Sequence, residues 1–360
     1  MNRLYLDMHA IQTLPPSNIN RDDTGSPKTA QYGGVRRARV SSQSWKRSIR
    51  EYFNENGDKS NVGIRTKHIV SYVAGKIKEM DPKIDLEKAM DMADKVINAA
   101  GVKTSDQKAK ALFFLGDEQA KLLAKAAIDG QKDKKILQSL LKQNPAIDIA
   151  LFGRMVADDP SLNEDASSQF AHSISTHAVQ TEFDFYTAVD DSALEDNAGA
   201  GMLGTIEFNS STLYRYANVS IHQLLNQLND KEATINAIKL LIEAFTNSLP
   251  TGKVNTFANQ TLPQAILITL RTDRPVNLVS AFEVPIKSND GYVDKSIKKL
   301  LEEFEKVETF VEKPVKSLYL SAENIEIKDS IKKEDSLRSL IDDIGEILEE
   351  KVEDLEIEEK

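Results

Sequence analysis

The residues with the clearest capacity for chemistry are the cations and hydroxyls of residues 33–50, GGVRRARVSSQSWKRSIR. This segment contains no acidic residue, and Ser41 or Ser42 is a natural N-cap for a helix that follows it. The N-terminus of a helix attracts phosphate, so the segment predicts a phosphodiester-binding surface. A solvated basic helix face is the alternative. The donors available beside the helix start are Gln43, Lys46, Arg47 and Arg50.

The net charge is distributed unevenly along the chain. The 360 residues carry a formal net charge of −10, but residues 341–360 alone hold ten acids and two lysines, a net −8 that leaves −2 for all the others. Residues 1–50 hold nine Lys and Arg against three acids, a net +6. This asymmetry predicts a polyanion-binding surface near the N-terminus and a solvated or partner-facing C-terminal end.

Composition excludes several classes of protein. Without cysteine, the chain has no disulfide framework, thiol nucleophile or thiolate zinc site. Arg3, Asp7 and His9 interrupt the apolar run that a signal peptide needs, and no segment approaches the roughly 18 apolar residues of a membrane span. The 40% hydrophobic content is ample for a buried core. We therefore expect a cytoplasmic protein that makes no membrane contact.

Periodicity predicts the elements that position the basic segment. Alternating apolar and polar residues predict a half-buried strand over 3–12, and apolar residues at helical spacing predict a helix over 42–54. A charged, nearly proline-free block over 60–143 predicts four further helices. These are 65–80, 85–100, 117–128 and 132–143.

From Ile147 onward the pattern predicts paired strands, beginning with IDIALF. A helix over 231–247, a strand over 265–269 and a helix near 294–306 follow. With the helical block set aside, the order is strand, helix, strand, strand, helix, strand. This split βαβ order predicts an α+β fold with a four-stranded antiparallel sheet under two helices, which RNA binders share with unrelated enzymes.

Two other motifs give no support for metal or cofactor chemistry. His172 and His177, with Asp184 nearby, lie on opposite faces of a predicted strand, which is unsuitable for shared coordination. The segment 250–257, PTGKVNTF, lacks the first glycine of a Walker motif because Asn247 occupies that position. The sequence predicts neither a metal site nor a cofactor.

Six separated stretches, in order and with compatible spacing, resemble the backbone subunit of the type I-E CRISPR surveillance complex Cascade, the CasC family of the RAMP superfamily. The resemblance covers most of residues 1–55 and 147–296, whereas the helical block and the acidic end match poorly. The stretches are INRDD (19–23), GGVRRARVSSQSWKR (33–47), IALFGRM (149–155), AHSISTHAV (171–179), FYTAVDD (185–191) and LYRYANV (213–219).

The resemblance implies an RNA-recognition-like, or ferredoxin-like, palm with a large helical fingers insertion and a β-hairpin thumb. The acidic tail lies outside the resemblance, and we expect a solvated helix end or disorder there. The implied divisions are a palm of 1–55, 147–182 and 206–310, fingers of 56–146, a thumb of 183–205 and a C-terminal segment of 311–360.

The resemblance also implies a non-catalytic scaffold that polymerises head to tail along a CRISPR guide RNA. Such a scaffold grips the guide backbone and displaces about every sixth base, so that short guide segments pair with target DNA alongside other Cascade subunits. Guide contacts then fall on Ser41, Gln43, Lys46 and Arg47, with Arg21, Lys28, Arg36, Arg37 and Lys253 as weaker candidates.

For the thumb, the resemblance implies base-wedging residues, since an aromatic ring or a flexible Met can stack on a base without reading its identity. From the residues alone, an ordinary strand that buries Phe183, Phe185 and Thr187 remains open. Two fingers lysines correspond to target-DNA contacts, although a solvated helix face remains open for them. These residues are Met155, Phe185, Tyr186 and Val189 for the wedge, and Lys134 and Lys135 for DNA.

The alternative function is a metal-dependent ribonuclease. Backbone proteins of type III systems cut target RNA with an aspartate in a palm loop, and Asp22 or Asp23 occupies such a loop here. Because NRDD belongs to the type I-E resemblance, we expect these aspartates instead to hold Arg21 or other basic residues of the loop in place.

Overall fold

The computed structural model describes residues 3–58, 61–156, 158–189 and 199–357, without the side chains of 189 and 199–202. The fold is α+β, as predicted, with one ten-stranded sheet and two small two-stranded sheets. No helix in the described ranges is long and apolar enough to cross a membrane.

The strands are β1 (Tyr5–Ser17), β2 (Thr29–Tyr32), β3 (Val35–Val40), β4 (Ile64–Thr66), β5 (Thr104–Ser105), β6 (Lys108–Ala109), β7 (Phe113–Leu115), β8 (Ser168–Phe170), β9 (Ser173–Ser175), β10 (Glu182–Val189), β11 (Gly199–Ser220), β12 (Ala265–Arg271), β13 (Lys316–Ser321) and β14 (Lys332–Glu334). The helices are α1 (Ser42–Asn56), α2 (Ile69–Met80), α3 (Leu86–Ala99), α4 (Asp117–Ile128), α5 (Lys134–Leu140), α6 (Ile147–Phe152), α7 (Ile221–Leu228), α8 (Lys231–Asn247), α9 (Val254–Phe257), α10 (Val293–Lys306) and α11 (Leu337–Glu353).

The large sheet is organised around β1 and the long strand β11. Its order is β14–β13–β12–β1–β11–β9–β3–β2, and β8 and β10 also pair with β11. β11 runs antiparallel to β1 from the Tyr5–Ser220 pair to the Ser17–Asn209 pair, and its other part forms a hairpin with β10. A single strand therefore connects the hairpin rigidly to the centre of the sheet.

β1 is buried on both faces, although alternation predicted a half-buried strand. Leu6 faces a core formed with α1, α7, α8 and α11, while the opposite face packs against α10. Polar residues of β1 are therefore buried as well, and they are paired: the Asp7 carboxylate accepts a hydrogen bond from the Tyr216 hydroxyl at 2.8 Å, and His9 bonds to the Tyr214 hydroxyl at 2.9 Å. Helices that cover both faces leave β1 no solvated side.

The helical insertion has its own core, in which α2, α3 and α4 pack together. The four helices predicted between 65 and 143 are all present, with α5 shorter than predicted. α5 begins where the Asp133 carboxylate accepts hydrogen bonds from the backbone N–H groups of Lys135 and Ile136.

The predicted strand at IDIALF is wrong, because these residues form α6. A short apolar run cannot be assigned to helix or strand by periodicity alone. The helical conformation buries Asp148, whose carboxylate accepts a hydrogen bond from the Gly63 N–H at 2.8 Å. α6 ends at Gly153, whose φ of 77° favours glycine.

The prediction that the acidic tail is a solvated or disordered end is also wrong for its helical part. α11 packs against α8, and Leu340, Ile344 and Leu348 are buried in the same core as β1. Its acidic residues lie on the other side of the helix. The prediction rested on the acidic charge of the segment and did not use its apolar residues, which recur at helical spacing.

We expect Leu348→Ala to lower the free energy of unfolding by about 3 kcal/mol, because it leaves a cavity in the main core. Glu349→Ala, on the exposed side of the same helix, is expected to change it by less than about 0.5 kcal/mol. Urea denaturation of both variants provides the measurement. Equal stabilities for the two variants would mean that α11 does not contribute to the core.

Candidate nucleic-acid interface

The helix that carries the basic segment begins with the predicted cap. Ser41 is the N-cap of α1, and its hydroxyl accepts a hydrogen bond from the Ser44 N–H at 3.4 Å. The Ser41 N–H donates to the Asn20 side chain at 2.9 Å, which ties the helix start to the preceding loop. Ser41 is buried and its hydroxyl caps the helix, so Gln43 is the more accessible polar group at this end.

Two clefts flank α1, and they bring most of the predicted RNA contacts together. The first, of about 670 Å³, is lined by Arg21, Arg47 and Lys253, which come from three distant parts of the chain. The second, of about 1010 Å³, contains Met155 and several cations and donors of α1. Those residues are Gln43, Lys46, Arg47 and Arg50.

The first cleft depends on close contact between two loops. A Cβ atom at Gly252 would lie 2.3 Å from the backbone oxygen of Ile19, so only glycine allows this approach. The contact brings Lys253, which has a φ of 53°, beside the loop that carries Arg21.

Among the other residues predicted as weaker RNA contacts, Arg36 is exposed and Lys28 is half-buried.

Lys46 lies in the second cleft over two aromatic rings. Its ammonium is 5.7 Å from the Phe152 ring centroid and 5.6 Å from that of Phe170. Partial desolvation lowers the pKa of Lys46. The rings hold the lysine stem in place and keep water away from one side of the charge, which strengthens its interaction with an anion.

The two arginines of α1 differ in how available their guanidinium groups are to an external anion. Arg47 pairs with Glu51 at 2.8 Å but is 78% exposed, and such surface pairs are weak. Arg50 stacks 4.4 Å above the Phe114 ring and pairs with the buried Asp148 at 3.3 Å. Burial raises the pKa of Asp148 to about 6, and Arg50 partly counters that increase. Arg50 therefore connects α1 to the insertion as well as lining the cleft.

Arg37 is a correction to the predicted RNA contacts, because it is fully buried. Its guanidinium donates hydrogen bonds to the backbone oxygens of Tyr32 at 3.1 Å, Ser175 at 3.0 Å and Phe282 at 2.8 Å. Burial lowers the pKa of Arg37. The side chain connects separate segments and has no exposed surface with which to contact RNA.

Sequence reasoning missed Arg154, which holds Met155 in place. The Arg154 side chain is buried and donates to the backbone oxygens of Phe114, Leu141 and Leu162 at 3.2, 2.9 and 3.1 Å. Met155, the next residue, is 82% exposed. The only sequence signal was the GRM motif, which pointed to the methionine and not to its neighbour.

The β10–β11 hairpin exposes apolar side chains on both faces. Phe183 and Phe185 share one face and are each 65% exposed, so the alternative in which an ordinary strand buries them is wrong. Tyr186 lies on the other face, with its ring directly over Gly204, where a Cβ atom would be 2.3 Å from the ring. The backbone of Val189 pairs in the hairpin, but its side chain lies outside the described residues.

The two fingers lysines lie at the start of α5. Lys134 forms an ion pair with Asp159 at 2.8 Å, and this contact helps to lower the pKa of that carboxyl. Lys135 is exposed. Of the two, Lys135 is the more available for an external anion.

Asp22 and Asp23, in the loop between β1 and β2, were expected to hold Arg21 or other basic residues of that loop in place, and the observed contacts differ. The Asp22 carboxylate accepts hydrogen bonds from Thr24 and from the Ser26 N–H, at 2.7 to 3.0 Å, rather than from Arg21. These bonds lower the pKa of Asp22 and close its own turn, while Asp23 is exposed. The described residues contain no cluster of three or more His, Cys, Asp or Glu side chains suited to a metal ion.

A family model described as CT1975-like protein matches residues 6–343 of the chain. The chain belongs to this family. The predicted relationship to Cascade subunits of the CasC type is confirmed by this match together with two solved structures. Among curated proteins, none matches the chain.

The solved structures resemble this CT1975-like protein over nearly its whole length. A chain of a "CRISPR RNA-guided surveillance complex, pre-nicking" has 35% sequence identity and a TM-score of 0.83, over 96% of this chain and 100% of that chain. A chain of another "CRISPR RNA-guided surveillance complex" has 30% identity and a TM-score of 0.74, over 95% of this chain and 99% of that chain. The similarity therefore extends through the helical insertion, which the sequence motifs left unmatched.

Proposed function

We propose that this CT1975-like protein is a non-catalytic backbone subunit that grips guide RNA by its sugar–phosphate chain in an RNA-guided surveillance complex. The observation that supports this most directly is the convergence of Arg21, Lys46, Arg47 and Lys253 at the two clefts beside α1. Phosphate contacts of this kind fix the position of a strand without reading its sequence. Sequence recognition is then left to pairing between the guide and target DNA.

The division into palm, fingers and thumb is part of this proposal. Strands β12, β1, β11 and β8 lie side by side with α1 and α8 on one face, an order compatible with an RNA-recognition-like palm. The palm then comprises residues 1–55, 147–182 and 206–310. The fingers are 56–146 and the thumb is 183–205.

We further propose that copies associate head to tail along the guide, with the thumb of one copy over the guide segment of the next. Such contacts are heterologous and give an open filament, so guide length and other Cascade subunits must limit the number of copies. Met155 and one face of the hairpin insert between bases. Because Phe185 and Tyr186 point to opposite faces, only one of them inserts at a given step.

The location and the target contact follow from the same proposal. A guide-RNA scaffold acts in the cytoplasm, where guide and target meet. Lys135 approaches the target DNA that pairs with the guide, because it is exposed and free of the ion pair that engages Lys134.

Co-expression of the protein with its CRISPR locus tests the proposal. We expect the purified complex to contain guide RNA, with high absorbance at 260 nm and a ladder of RNA-bound oligomers. Nuclease footprinting of Tyr186→Ala and Phe185→Ala complexes should show loss of regular base displacement in one variant and its retention in the other. An assembly free of RNA, or a guide protected without interruption in the wild type, would overturn the proposal.

The ribonuclease alternative is tested with the same material. Incubation of the complex with complementary RNA and Mg²⁺ is expected to leave that RNA intact. Cleavage that is lost in Asp22→Ala or Asp23→Ala would show the protein to be an enzyme.

A further inference from the structure

Lys28, Arg39 and His172 form a cationic cluster beside the start of α1. The Arg39 guanidinium bonds to His172 Nδ1 at 3.0 Å, and its Nε–H donates to the Thr29 backbone oxygen at 3.1 Å. Because a guanidinium can only donate, Nδ1 is the acceptor and the histidine proton lies on Nε2. Among the described residues Nε2 has no hydrogen-bond partner, and the His172 side chain is exposed.

The cluster has an excess of positive charge. Partial burial lowers the pKa of His172, and the nearby charges of Arg39 and Lys28 lower it further. The ion pairs found within the described part of the chain include neither Lys28 nor Arg39. Arg39 and Lys28 both act on His172 and have no paired carboxylate in the ranges described, so a bound anion would offset their positive charge.

Backbone hydrogen bonds attach the cluster to the proposed RNA interface. The Arg39 N–H donates to the Lys28 oxygen, and the Lys28 N–H donates to the Asn20 oxygen, both at 2.9 Å. The Asn20 side chain in turn accepts from the Ser41 N–H, at the N-terminus of α1. The cluster is therefore held next to Arg21 and the α1 cap, in a fixed geometry.

We propose that Lys28, Arg39 and His172 form an additional binding site for a phosphodiester of single-stranded RNA. The inference rests on the proposed function and adds Arg39 and His172, which the sequence motifs did not assign, to the guide interface. The Thr29 backbone oxygen holds the Nε–H of the guanidinium, so that its terminal N–H groups are available to a phosphate oxygen. Lys28 and the Nε2–H of His172 supply the other donors.

The first test measures the affinity of the full-length protein for a guide-length single-stranded RNA by fluorescence anisotropy at several salt concentrations. Arg39→Gln is expected to weaken binding roughly fivefold near 0.1 M salt, and to reduce the slope of log affinity against log salt by about 0.7, as for one lost phosphate contact. Arg274→Gln is the matched control, because Arg274 is exposed near the Tyr5 end of β1, away from the loop that carries Arg21. It should leave both quantities unchanged.

A second measurement uses pH, and it does not depend on loss of Arg39. A phosphate oxygen that replaces Nδ1 as the acceptor for Arg39 leaves that nitrogen free to take a proton. The bound anion then favours protonated His172, so the pKa of His172 is higher in the complex than in the free protein. Wild-type affinity should therefore rise as the pH falls from about 8 to about 6, and His172→Gln should remove most of this rise. The charged groups that act on His172 are Arg39 on β3 and Lys28 in the loop before β2.

The outcomes separate the two proposals. If the wild-type protein and Arg274→Gln do not bind RNA, the proposed function fails. If both bind, and Arg39→Gln and His172→Gln match them in affinity, salt slope and pH dependence, the additional site fails alone. Thermal melting identifies a misfolded Arg39→Gln, in which case His172→Gln alone decides the result.

Discussion

Lys46→Met is expected to weaken the binding of single-stranded guide RNA at least tenfold. Methionine can retain the packing over Phe152 and Phe170 but has no charge. A hydrogen bond to a charged group is worth about 1.5–3 kcal/mol, and 1.4 kcal/mol corresponds to a tenfold change in affinity. The loss should be the same for guides of different sequence, because a phosphate contact does not depend on the base. Anisotropy with two unrelated guides provides the measurement.

Lys46→Arg is the matched control for this prediction. It keeps the charge and the aromatic contact, so it should bind within about threefold of the wild type. Thermal melting should show that both variants are folded. Wild-type affinity in Lys46→Met would remove Lys46 from the interface, and an effect confined to one guide would indicate base recognition instead.

Arg154→Ala is expected to lower the free energy of unfolding by about 3–5 kcal/mol. The substitution leaves buried carbonyl oxygens of Phe114, Leu141 and Leu162 without their donor, and each unsatisfied group costs about 1–3 kcal/mol. Burial already lowers the pKa of Arg154 to about 10, so the favourable contacts of the native side chain must offset a real desolvation cost. Urea denaturation measures the difference.

Arg65→Ala is the control, since Arg65 is exposed on the same cleft. We expect it to alter stability by less than about 0.5 kcal/mol. If Arg154→Ala is equally mild, the buried hydrogen bonds do not anchor this loop. If Arg154→Ala folds at low temperature, we expect reduced protection of the bases near Met155 in the footprint, because the loop is no longer fixed.

Much of the secondary structure could be predicted because periodicity is a local property. α1, α2, α3, α4 and α8 agree with their predicted bounds to within a few residues. Each has an apolar stripe long enough to distinguish a helix from a strand. α6 is too short for such a distinction, and charge on the exposed side of α11 obscured the stripe that packs against α8.

The candidate interface was predictable only in part. The acid-free segment indicated Lys46 and Arg47 directly, whereas the proximity of Lys253 depends on how a distant loop packs on Ile19. Arg37 and Arg154 show why a basic residue in the sequence does not by itself identify a phosphate contact. An arginine buried against backbone oxygens has the same sequence signature as one that binds phosphate, since both need only a guanidinium. The three-dimensional surroundings decide between the two roles.

The two outermost strands of the large sheet have a consequence for self-association. β2 has four residues and β14 has three, and β14 presents Lys332 and Lys333. The shortness of both strands, and the lysines of β14, discourage backbone pairing between molecules at these two edges, which is the usual route to amyloid-like stacking. Copies of the protein that meet at these two edges are therefore not expected to join their sheets through the backbone, so any contact between them there must be made by side chains.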